Sequence, residues 1–145
     1  MELTFNRAQK NEVETLVAIR IAAMKESLES IGRFDPERAR SRFVKTFKPA
    51  DTIKISKNDE IIAFYMLTTK GDHLWLNHLY IKPGFQGHGI GSRILAAIFT
   101  KSLEQGLPVK LCALKGSRAN AFYKQNGFVE THSDEWDHYY TRAYL

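Results

Sequence analysis

The chain has little that would staple, divide or anchor it. Cys112 is its only cysteine, so no internal disulfide can form, and a reducing, cytoplasmic setting is expected. No apolar run approaches the ~20 residues needed to span a bilayer. The opening stretch MELTFNRAQKNEVE carries no apolar segment behind a basic start, so neither a membrane partner nor a secretory signal is expected. Cysteine and histidine nowhere cluster at metal-ligand spacing, and no metal is expected. There is also no internal repeat, low-complexity tract or linker. One domain over residues 1–145 is the expectation.

The composition that is present suits a soluble globular domain, with 43% hydrophobic and 26% charged residues. The formal net charge of +5 suggests an anionic partner, and nucleic acid, a membrane or a phosphorylated cofactor would each satisfy it. The basic residues are spread along the chain rather than gathered in a stripe, which argues against nucleic acid.

Leu3 to Arg7 alternates as a short strand. Apolar residues at Val13, Leu16, Val17, Ile21, Met24 and Leu28 recur at helical spacing, predicting a helix from Lys10 to about Ile31 that Gly32 breaks. Asp35 and Pro36 open a second helix as N-cap and first helical residue. TIKIS and EIIAFYMLTT flank KND as a hairpin, and a further turn at Gly71 and Asp72 leads to a strand from Leu74 to Lys82. These three strands should form an antiparallel meander. Ile90, Ile94, Leu95, Ile98 and Ser102 mark a helix ending near Gly106, followed by a strand from Val109 to Ala113. A strand, crossover helix and strand imply a parallel pair in the middle of the sheet. A compact helix from Ser117 to Asn126 is stopped by Gly127, and strands near Val129–Ser133 and His138–Tyr144 close the chain. The expected fold class is therefore α/β: a mixed, mostly antiparallel sheet with a central parallel strand pair and helices on both faces.

One stretch asks for a ligand. LNHLYIKPGFQGHGIGSRIL runs from strand to helix through glycines at 84, 87, 89 and 91. A helix start leaves N–H groups without intrahelical partners and carries positive potential from the macrodipole. Glycines permit positive φ and remove side chains that would keep a ligand away, so the turn can cradle phosphate oxygens. The dinucleotide fingerprint fails because Ser92 stands where its third glycine belongs, and because the preceding strand ends a meander. The nucleoside-triphosphate loop fails because Ile90 and Gly91 occupy the places of its lysine and hydroxyl residue.

QGHGIG, Gln86 to Gly91, matches the Q-x-x-G-x-G element of the GNAT superfamily of N-acetyltransferases, between a strand and a helix as that family requires. FYKQNGF, Phe122 to Phe128, resembles its second signature. The order of elements agrees along essentially the whole chain, so the GNAT-like fold would cover 1–145. The resemblance implies acetyl-CoA as cosubstrate and an amine acceptor, either a small molecule or a peptide. It implies that the backbone of Leu79, Tyr80 and Ile81 pairs with pantetheine along a bulged, splayed strand. It makes Gln86, Gly87, His88, Gly89, Ile90, Gly91 and Ser92 the pyrophosphate cradle, with Lys82, Arg93 and Lys124 as candidates for the outer phosphates. Relatives often carry an asparagine where this chain has Gly116 and Ser117. Ser117 could cap the helix and reach the cofactor, and Asn120 could supply the amide contact.

Acetyl transfer needs a neutral amine, stabilisation of the developing oxyanion and a proton for the departing sulfur. Tyr123 matches the family tyrosine that protonates the thiolate and is the expected catalytic residue. Trp75 and Asn77 hold the strand positions where relatives place a base, and neither can take a proton. His78 titrates in the right range but alternation turns it to the opposite strand face. Glu29, Asp35, His132 and His138 stay open, as does loss to water. Cys112 reads as a packed small residue, which favours direct transfer in a ternary complex over a ping-pong route. Glu26, Glu29, Asp134, Glu135 and Asp137 could attract a cationic acceptor. The alternative is a catalytically idle acyl-CoA sensor or interaction domain of the same fold. Acceptor identity, acyl range and a homodimer stay open.

Overall fold

The computed structural model describes residues 2–145. Its strands are β1 (Thr4–Arg7), β2 (Thr52–Lys57), β3 (Glu60–Lys70), β4 (His73–Ile81), β5 (Val109–Leu114), β6 (Val129–Ser133) and β7 (Asp137–Arg142). The helices are α1 (Val13–Ser30), α2 (Pro36–Thr46), α3 (Ile90–Gln105) and α4 (Ala119–Gln125). The seven strands follow the order β1-β2-β3-β4-β5-β7-β6, with β1–β2, β2–β3, β5–β7 and β6–β7 antiparallel and β4–β5 parallel. This is the mixed α/β class expected from the sequence. Among the described residues, no helix is long and apolar enough to cross a membrane.

The chain divides into two compact units. One runs up to Met66 and adds His78–Gly91; the other comprises Leu67–Asn77 and Ser92–Leu145. The crossings fall inside β3, inside β4 and at the first turn of α3.

In the first unit, the expected hairpin turn is made by Asn58 and Asp59, both with positive φ (51° and 66°), which suits the short polar residues found there. Asp35 caps α2, its carboxylate accepting from Arg38 N at 3.2 Å, with Pro36 as first helical residue. A 3-10 turn over Lys10–Glu12 precedes α1 and shortens the helix that periodicity starts at Lys10. Leu16, Val17 and Ile19 of α1, Phe43 of α2 and Phe64 of β3 bury together with Ala8. Each of these large side chains contributes about 1.5–3 kcal/mol by leaving water. Arg40 and Glu14 pair across α1 and α2 through both guanidinium and carboxylate branches. Ile62 through Met66 are buried at every position, so this part of β3 is covered on both sides and reads as a continuous apolar run rather than an alternation.

In the second unit, Ile94, Leu95, Ile98 and Ser102 form the buried stripe of α3. Ser102 Oγ donates to Leu107 O at 2.6 Å, fixing the turn at Gly106 (φ 65°) that returns the chain to β5. Val109, Leu111 and Ala113 alternate inward along β5. Gly127 takes φ 88° beyond α4, and Phe128 N donates to Tyr123 O at 3.1 Å while Phe128 is buried. That is the glycine C-cap with an apolar residue following it. Helix α4 is shorter than expected. It begins after Arg118, so Ser117 does not cap it. The last strand starts one residue earlier than expected, at Asp137, and lies between β5 and the edge strand β6.

Candidate functional site

The turn after β4 belongs to the first unit. Phe85 N donates to Lys82 O at 3.0 Å, and Gln86 reaches back with Nε2 to donate to Ile81 O at 3.1 Å. His88 Nδ1 lies 3.2 Å from Phe85 O. Side chains therefore fold the turn onto itself and onto the end of β4. Gly84, Gly87 and Gly89 have φ of 97°, 80° and 77°, a conformation that strains any residue with a Cβ. A Cβ built at any of the three would meet nothing within 4 Å. The backbone is thus both bent and bare at these positions. Ile90, 1% exposed, anchors the start of α3 just behind them. Gly91 differs from its neighbours: it lies within α3 and does not take the left-handed conformation.

Leu79, Tyr80 and Ile81 are half-buried on β4. Among the described residues the parallel β4–β5 ladder consists of Leu74↔Val109 and Trp75↔Lys110, yet β4 runs on to Ile81. The three residues therefore lie beyond its last rung. Lys82, one of the expected phosphate contacts, has its ammonium 2.7 Å from Glu60 Oε2. Ser92, Arg93 and Lys124 are exposed.

The second unit holds Tyr123, 7% exposed, with its ring centroid 5.4 Å from that of Phe128 and 6.4 Å from that of Tyr140. Asn120 is a junction. Its Nδ2 donates to Leu114 O at 2.8 Å and lies within 3.1 Å of Ser117 O and 3.3 Å of Ser117 Oγ. Its Oδ1 accepts from the Tyr140 hydroxyl at 2.7 Å. Asn120 thus spends its amide on tying α4 to β5 and β7, a use that its spacing from Tyr123 does not reveal. The signal was Tyr140 itself, a buried phenol that needs a partner.

The titrating groups sort clearly. His78 is 8% exposed, and burial together with the Arg20 charge lowers its pKa to about 3, so it stays neutral. Alternation turned it away from Trp75 and Asn77, and α2 covers it: its ring centroid is 5.1 Å from that of Phe43. His138 Nδ1 lies 3.1 Å from Glu130 Oε2, and His132 stacks on Tyr139 at 4.4 Å. Asp35 is used as a helix cap, whereas Glu29 is exposed. Burial and the nearby Asp137 and Asp134 push the Cys112 thiol up to about 11, so it is not a thiolate at neutral pH. The Tyr139 hydroxyl donates to Asp134 Oδ2 at 2.8 Å. Asp137 is raised by burial and by the charge of Asp134, while Asp134 is lowered by its hydrogen bonds from Asp137 N, Tyr139 and Trp136 N.

A family model described as an acetyltransferase (GNAT) domain matches residues 49–130. The chain belongs to the GNAT family. That match takes in β2 to β4, the glycine turn, α3, β5 and α4. A thialysine N-epsilon-acetyltransferase of Bos taurus is 33% identical over 76 residues, which are 50% of this chain and 45% of that protein. The match thus spans about half the length of each. Among solved structures, the PaiA N-acetyltransferase of Thermoplasma acidophilum, in complex with coenzyme A, superposes with a TM-score of 0.83 at 18% identity, covering 99% of both chains. The ribosomal-protein-S18-alanine N-acetyltransferase of Escherichia coli superposes with a TM-score of 0.73 at 15% identity, over 98% of this chain and 94% of that one. At such identities these likenesses speak for the GNAT fold.

Proposed function

We propose that residues 1–145 act as one cytoplasmic N-acetyltransferase domain, moving an acetyl group from acetyl-CoA to an amine by direct attack in a ternary complex. The observation that carries this reading is the bent, bare backbone at Gly84, Gly87 and Gly89 leading into α3. Three left-handed glycines with open space above them, at a helix start, suit a pyrophosphate better than any side chain. Gln86 holds the turn in shape, and the N–H groups from Gly87 to Ser92 serve the phosphate oxygens. The backbone of Leu79, Tyr80 and Ile81, beyond the last rung of the β4–β5 ladder, serves pantetheine and the acyl carbonyl.

When bound, acetyl-CoA supplies the activated acyl group. The protein's part is to orient it, exclude water and move protons. Tyr123 protonates the departing sulfur. Asn120 acts by tying the first turn of α4 to Leu114, Ser117 and Tyr140, and so by setting where Tyr123 stands. Cys112, held as a thiol, supports direct transfer over an acyl-cysteine route. His78 does not serve as base, because a group titrating at about 3 is a poor proton acceptor at neutral pH. A second reading, an acyl-CoA-binding domain without turnover, draws on the same fact together with the lack of a titrating side chain at Trp75 and Asn77.

The test is cofactor binding. Coenzyme A should raise the melting temperature of the native chain by mass action. Gly89→Glu should abolish that rise in a folded protein, since the new carboxylate repels phosphate and occupies the open space. An unchanged melting curve for the native chain at millimolar coenzyme A would overturn the proposal.

A further inference from the structure

Two buried polar side chains of the first unit lack partners that their chemistry demands. Arg20 on α1 and His78 on β4 are each 8% exposed. Arg20 Nη1 donates to Ala39 O on α2, but Arg20 Nε, itself buried, has no hydrogen-bond partner among the described residues. His78 Nε2 is likewise buried and without a partner. The two belong to one cluster. The Arg20 guanidinium carbon sits 5.9 Å from the centroid of the Tyr80 ring, and the His78 ring centroid sits 5.6 Å from it. The Tyr80 hydroxyl lies 3.3 Å from His78 Nδ1. Phe43 and Phe64 close the apolar side, with centroids 5.1 and 6.5 Å from that of His78.

A buried donor left unmade is costly, and a buried guanidinium without an anion more so. Native structures resolve such groups with a water, an ion or a ligand. If the Tyr80 hydroxyl donates to His78 Nδ1, the proton of the neutral ring sits on Nε2, and Arg20 Nε and His78 Nε2 are then both donors. Two unsatisfied donors, one carrying a full positive charge, ask for an acceptor with two lone-pair oxygens. Tyr80 is only half-buried, so the cluster runs from the covered histidine toward solvent on the strand segment that the proposed function gives to the cofactor.

We propose that Arg20 and His78 form a carboxylate subsite, so that the preferred acceptor is an amine that also carries a carboxylate. The subsite rests on the acetyltransferase reading for its use, but its existence can be tested without turnover.

The probes are 5-aminopentanoate and pentylamine, which share the primary amine and differ in the carboxylate. Nitrogen-15 spectra of the imidazole rings, with His78 assigned by its loss in His78→Gln, report the tautomer and its partner. The expected result is an Nε2-protonated His78 whose signals move with 5-aminopentanoate and stay put with pentylamine. Arg20→Met should remove that response. If Arg20→Met fails to fold, Arg20→Lys keeps the charge while removing Nε, and should weaken the response roughly tenfold or more. With acetyl-CoA present, the ratio of kcat/KM for 5-aminopentanoate over pentylamine should exceed one and fall by about tenfold or more in the arginine variant. Absent turnover with a carboxylate-dependent His78 shift would sink the enzyme reading and keep the subsite. Unmoved His78 signals in the folded native chain, or a proton on Nδ1 instead, would overturn the subsite and leave a sealed water as the partner of both donors.

Discussion

The Tyr140 hydroxyl donates to Asn120 Oδ1 at 2.7 Å, joining β7 to the first turn of α4 across 20 residues of sequence. Tyr140 is 1% exposed, so its phenol has no water to fall back on. Tyr140→Phe keeps the ring and leaves the asparagine oxygen unpaired. We expect a stability loss of about 1–2 kcal/mol in denaturant unfolding. If the loss is absent, the Asn120 junction does not hold α4.

His78 ties stability to pH. Its folded pKa of about 3 lies below the ordinary 6.5, so the unfolded chain takes a proton that the native protein refuses. The resulting stability is fully present above pH 6.5 and is lost as pH falls from there toward about 3, at up to about 1.4 kcal/mol per unit. His78→Phe fits among the surrounding aromatic rings and does not titrate. Between pH 6.5 and about 4 it should lose distinctly less stability than the native chain. Parallel curves for the two proteins would show that His78 is protonated in the fold.

Tyr123→Phe removes one hydroxyl from a side chain that packs against Phe128. Stability should change by about 1 kcal/mol or less. Turnover should fall roughly 10²-fold, with coenzyme A affinity nearly unchanged, because proton donation develops in the transition state. Affinity lost in parallel would make Tyr123 a binding residue, and full activity with a good acceptor would remove it from the chemistry.

Local signals carried most of the fold. Asp35 before Pro36, the polar turn at Asn58 and Asp59, and Gly127 before Phe128 each act through their immediate neighbours, so their positions could be read from the chain. The glycine turn was legible for the same reason, and Gly91 lies in the first turn of α3, the helix expected from Ile90 onward. What stayed hidden was set by distant residues. Insertion of β7 between β5 and β6 depends on pairings such as Leu111↔Tyr140, with no local mark. The alternation rule turned His78 to its face, but only Phe43, arriving on α2, makes it a buried neutral ring. The place of Asn120 at a junction stayed hidden because Tyr140 is 20 residues away in sequence.

The most direct measurement is the release of coenzyme A thiol from acetyl-CoA, followed with and without a panel of amines, with the mass of each acceptor read in the same samples. Polyamines, amino acids, aminoglycosides and peptide N-termini would cover the main acceptor classes. Direct transfer predicts thiol release that depends on the amine, matched one for one by an acceptor gaining one acetyl group, with no acetylated Cys112 in the protein. Tight coenzyme A binding with no amine-dependent release across the panel would contradict it, and would leave an acyl-CoA-binding domain in place of an enzyme.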